Sequence, residues 1–74
     1  GIEIGLRPIE RYVSLRTSCS FAHLERAAQD ANEIVLGVRM GGIRGEPCLN
    51  PGSASQFVFE EGDVAIVLAQ EVYI

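Results

Sequence analysis

The chain has 74 residues, 47% of them apolar, and carries ten acids against six basic residues for a formal net charge of −4. A chain this short buries one core and not two, and its basic residues, all arginine, are scattered, which gives neither nucleic-acid phosphates nor an anionic membrane a stripe to bind. No apolar stretch approaches the roughly 20 residues that cross a bilayer, no signal peptide pattern opens the sequence, and two cysteines cannot make a multi-bridge secreted scaffold.

These limits predict a single domain over residues 1–74 in the cytoplasm. The start at Gly1 and the apolar end Val72-Tyr73-Ile74 suggest a piece of something longer. A core of this size gains only a few kcal/mol net, so contacts with a partner are expected to complete it.

Along the chain, Gly1 to Leu6 alternates with a period of two, as a half-buried strand does, until Pro8 removes an amide donor. Ile9 to Leu15, with Tyr12, Val13 and Leu15, reads as a second extended segment. The period then changes: Phe21, Leu24, Ala27, Ala28 and Ala31 fall at helical spacing, Ser18 or Ser20 is placed to cap, and Asn32 offers a stop. Ile34 to Met40 is a near-continuous apolar run, the pattern of a central strand covered on both faces, in which Gly37 admits close approach of another backbone. Gly41-Gly42-Ile43-Arg44-Gly45 turns the chain back as a hairpin whose return strand runs from Glu46 to Leu49.

After the break at Asn50-Pro51-Gly52-Ser53, Gln56 to Phe59 is extended again, with Phe57 and Phe59 on one face and Val58 on the other. Glu60-Glu61-Gly62-Asp63 is a tight turn: Gly62 supplies a positive φ and Asp63 accepts a hydrogen bond from a nearby amide, which delivers the chain into a buried strand from Val64 to Ala69. The order predicts an α+β domain, one helix on a single-layer sheet of four to five strands.

Few residues suggest chemistry. Cys19 and His23 stand four apart at the helix start, where the dipole and an imidazole would activate a thiol, yet no orienting group follows at readable spacing. Cys19, His23 and Cys48 lack the paired spacing of a zinc site and read as two reduced, partly buried thiols and a solvated imidazole. Glu60, Glu61 and Asp63 lack the spacing of a calcium loop. The glycines from 41 to 45 join two strands rather than opening a helix, so they are not a phosphate loop. No catalytic residue and no metal site is assigned, and no cofactor is named. Arg39, Arg44 and Asn50, around the hairpin, are the candidates for contact with a ligand or partner, and Gly62 and Asp63 are structural.

The line "EIVLGVRMGGIRGEPCLNPGSASQFVFEEGDVAIVLA", Glu33 to Ala69, resembles the C-terminal lobe of RCK domains (regulators of potassium conductance), also called TrkA-C domains. The matching features are the apolar strand ending at Arg39, the glycine hairpin, Leu49-Asn50-Pro51, and Phe59-Glu60-Glu61-Gly62-Asp63 leading into the strand from Val64 to Leu68. Thr17-Ser18-Cys19-Ser20 departs from the family, which often has a glycine-lysine pair before its helix. The stretch from Ile2 to Pro8 is extra to the minimal pattern.

The resemblance implies a non-enzymatic regulatory lobe that pairs as a homodimer. In the full protein such a lobe is joined to a Rossmann-like lobe and to a membrane pore, without inserting into the membrane itself, and it senses a small ligand such as a nucleotide or a divalent cation. The alternatives are a purely structural assembly domain and a thiol-dependent enzyme using Cys19 and His23.

Overall fold

The computed structural model describes residues 1–70; the apolar end at Val72-Tyr73-Ile74 lies outside them. The protein is α+β. Its strands are β1 (Ile2–Pro8), β2 (Ser18–Ser20), β3 (Glu33–Arg39), β4 (Pro47–Leu49), β5 (Gln56–Val58) and β6 (Val64–Gln70), with one α-helix, α1 (Phe21–Asp30), between β2 and β3. The expectation of one sheet is corrected. Four strands form an antiparallel sheet in the order β1-β6-β3-β4, while β2 and β5 pair apart from it as a two-stranded ribbon.

The helix begins where its cap lies. Ser20 is extended, and its Oγ accepts the amide of His23 at 3.2 Å, satisfying one of the orphan donors of the first turn. Phe21, Leu24 and Ala28, at three- and four-residue spacing, are buried. They pack against the inner sheet residues Val35, Val38, Ala65 and Val67, and against Ile9, Val13 and Phe59. Phe59 is fully buried, Phe57 stacks on it with ring centroids 5.3 Å apart, and Phe21 meets Phe57 edge-on at 6.4 Å. The aromatic pair therefore belongs to the core, with Val58 exposed on the other side of β5.

The segment from Ile9 to Leu15 is not a strand. Ile9–Arg11 forms a 3-10 turn, closed by the amides of Tyr12 and Val13 on the Ile9 carbonyl. Its β-favouring residues are used to plug the core: Ile9 and Val13 are buried beside Phe59, and burial outweighs local propensity. β2, over Ser18 to Ser20, has no apolar alternation to announce it. It exists because β5 lies opposite, with Cys19 across from Phe57.

β3 is central, between β6 and β4, but only one of its faces is covered by the described residues. Val35 and Val38 are buried against the helix layer while Ile34 is 60% exposed, which corrects the expectation of cover on both sides. A register shift between Val35 and Gly37 in the pairing with β6 marks a bulge at Leu36. Beside it β4 crosses so tightly that a β-carbon on Gly37 would lie 2.2 Å from the Cys48 carbonyl oxygen.

Candidate functional site

The hairpin and the corner before β6 are joined by one side chain. Asp63 is 4% exposed; its Oδ1 accepts the Gly41 amide at 3.0 Å and its Oδ2 accepts the Glu60 amide at 2.8 Å. The Asp63 amide donates to the Glu60 carbonyl, and the Asp63 carbonyl accepts the Ile9 amide. Gly62 has a φ of 96°, where an L residue is strained by its own backbone; a β-carbon there would meet nothing else within 4 Å. A buried carboxylate is tolerated because two backbone N–H groups replace its water. Each carboxylate oxygen of Asp63 thus accepts one backbone amide.

The three contact candidates lie on one hairpin but do not converge. Arg44 is exposed in the 3-10 turn Gly42–Arg44. Asn50, at the exit of β4, has a φ of 53° and donates its amide to the Leu36 carbonyl at 2.7 Å, which ties β4 to the bulge. Its visible role is therefore a backbone one, in a conformation asparagine accepts more readily than most residues. Arg39 pairs with Val64 and Pro47 at the end of β3, half-buried, and its Nε is enclosed without a hydrogen-bond partner. A buried guanidinium donor without an acceptor is unusual in a folded protein.

Cys19 is half-buried, and burial pushes its thiol up, away from the thiolate that an activated nucleophile requires. Cys48 is exposed, which corrects the expectation that both thiols are partly buried. Among the described residues no group of three His, Cys, Asp or Glu side chains is placed to hold a metal.

Clefts of about 530 and 540 Å³ flank the helix start and share Tyr12 and His23, with Arg26 and Asp30 on one side and Arg11 and Arg16 on the other. The helix terminus behind them offers no anion site, since the amides of Phe21, Ala22 and His23 are taken by the Ser55 carbonyl, the Ser53 carbonyl and Ser20 Oγ.

A polar network that the sequence did not announce closes one end of the inner layer. Glu33 is 9% exposed; it accepts the Tyr12 hydroxyl at 2.6 Å and lies 3.5 Å from Arg7 Nε. Arg7 reaches back over Gly5, where a β-carbon would collide with the guanidinium. Burial first, then the hydrogen bond and the charge of Glu33, push the Tyr12 hydroxyl up to about 12. The only advance sign was a glycine inside an otherwise alternating strand.

Among the described residues the outer face of the four-stranded sheet is open and apolar. The strand registers align three rows across it: Ile4, Leu68 and Ile34; then Leu6, Ile66, Gly37 and Leu49; then Pro8, Val64, Arg39 and Pro47. Ile2, Ile4, Leu6, Ile34 and Leu49 are 50–70% exposed, and in these rows the only charged side chain is Arg39, at one end. Among the described residues no helix is long and apolar enough to cross a membrane. No protein-family model matches this chain, and no curated protein matches it.

Proposed function

We propose that the chain is a non-enzymatic regulatory lobe of a potassium channel or cation-transport protein, similar to the C-terminal lobe of RCK domains. It pairs with a second copy, and a small ligand, a nucleotide or a divalent cation, shifts the equilibrium between two arrangements of the pair. The observation that carries this reading is the open aliphatic face on the four-stranded sheet, of which β3, β4 and β6 come from the segment of resemblance and β1 lies outside it. A domain with its core closed on one side and bare on the other gains stability by docking, and a docked pair has a relative orientation for a ligand to bias. The raised Cys19 thiol weighs against the thiol-enzyme alternative.

Thermal unfolding against nucleotides, cyclic dinucleotides and divalent cations tests the sensing role. A ligand present at about 100 times its Kd adds about 2.7 kcal/mol to the native state, which in a domain of this size raises Tm by roughly 10–20 °C. If none of these ligands moves Tm while the chain still pairs, the lobe is a purely structural assembly domain.

A further inference from the structure

We infer that β1 is a strap that opens and closes on the edge of β6 while the rest of the fold stays intact, anchored at Ile9 and latched by the pair of Arg7 with Glu33. The strap goes beyond the regulatory reading above and does not depend on it.

β1 puts nothing into the core. None of its seven residues is buried, and none belongs to the core cluster or to the partly buried side chains packed against it. The other long strands differ: β3 contributes Val35 and Val38 to that cluster, and β6 contributes Ala65 and Val67. The aliphatic side chains of β1, Ile2, Ile4 and Leu6, all lie on the open outer face. Among the described residues its extensive packing is with β6 alone, in a ladder that runs from Ile2 opposite Gln70 to Pro8 opposite Val64. Such a ladder is a weak hold without burial behind it, because a backbone hydrogen bond that replaces one to water gains little more than the ordering of its residue costs.

The change at Ile9 is abrupt. Ile9 is fully buried, and its amide donates to the Asp63 carbonyl at 3.1 Å, in the corner that the Asp63 side chain ties to the hairpin. Pro8, just before it, has no amide to give to β6. The chain therefore divides at Pro8 into a part that the core holds and a part that only an edge holds.

One side chain ties β1 past β6. Arg7 lies back over Gly5 and spans β6 to reach Glu33 on β3, with its Nε 3.5 Å from the carboxylate. The Glu33 side chain is 10% exposed, so solvent and salt screen this pair less than they screen a fully exposed one. Glu33 keeps its place when Arg7 leaves, since the Tyr12 hydroxyl, on the anchored side of Pro8, donates to it independently. Opening takes Ile4 and Leu6 from beside Leu68 and Ile66 and turns β6 from an inner strand into an edge, which is a template for another strand. The core is the same in both states.

Native-state hydrogen exchange of the 74-residue chain tests the strap. The β1 amides bonded to β6 are expected to exchange about 100-fold faster than the amides bonded between β3 and β6, because they escape by a local opening. Ala28→Gly weakens the buried face of α1, which the strap does not touch; it is expected to speed the β3 and β6 amides by about fivefold and to leave those of β1 unchanged. Arg7→Gln removes the latch and is expected to speed the β1 amides by about threefold or more. If β1 exchanges at the rate of β3, or if Ala28→Gly speeds both alike, β1 leaves only when the domain unfolds and the strap is overturned. If β1 opens locally but Arg7→Gln leaves its exchange unchanged, the pair with Glu33 is not the latch.

Discussion

Asp63→Asn tests the claim that one carboxylate holds the hairpin to the corner. In the wild type two backbone amides, Gly41 and Glu60, donate to the two oxygens of a side chain that is 4% exposed. Asparagine keeps one acceptor and turns an NH2 group toward the other amide, so one charge-assisted bond becomes two donors facing each other in a place without water. Hydrogen bonds to charged groups contribute about 1.5–3 kcal/mol each, and an unsatisfied buried donor costs a similar amount. Relief from burying the charge offsets part of this, so the net loss is about 2 kcal/mol. Alanine, which frees both amides, costs roughly 3–5 kcal/mol by the same reasoning and approaches the whole stability of so small a domain. Urea unfolding at fixed protein concentration gives the first value directly, and thermal unfolding reads it as a fall in Tm of about 8–16 °C. Glu61→Gln, in the same turn but exposed, is the control and stays within about 0.5 kcal/mol. If Asp63→Asn also stays within that range, the two amides do not depend on the carboxylate and the reasoning fails.

Gly37→Ala sets a β-carbon 2.2 Å from the Cys48 carbonyl, so β4 has to move; hydrogen exchange is expected to show faster opening at Val38 and Leu49 than at Val67, and equal protection at all three would refute the close approach. Tyr12 binds its proton more tightly folded than unfolded, so its contribution to stability is complete below pH 10 and is lost as pH rises toward about 12. The chain has no lysine to titrate in that window, and Tyr12→Phe is expected to flatten the stability profile there while costing about 1–2 kcal/mol at neutral pH. Iodoacetamide at pH 8 is expected to modify exposed Cys48 at least ten times faster than Cys19; faster reaction at Cys19 below pH 7 would restore the case for a nucleophile.

What the sequence determined by itself is local. Periodicity placed α1 and the strands β1, β3 and β6, because an apolar face that must be buried imposes its own spacing. Ser18 or Ser20 marks the helix start, which needs a side-chain acceptor, and the structure chooses Ser20; Gly62 marks the corner because it needs a positive φ. Arg39 was singled out by its position at the hairpin, but its enclosed Nε was invisible, since enclosure depends on neighbours from β4 and β6. The tertiary structure decided everything that requires a distant partner. Ser18 to Ser20 is a strand because β5 lies opposite it, and Ile9 to Val13 is a turn because Phe59 needs cover. Glu33 is buried because Tyr12 and Arg7 arrive from elsewhere in the chain. The same holds for the bare face: alternation reveals that a strand has two sides, but only the packed arrangement reveals that the single helix covers one of them.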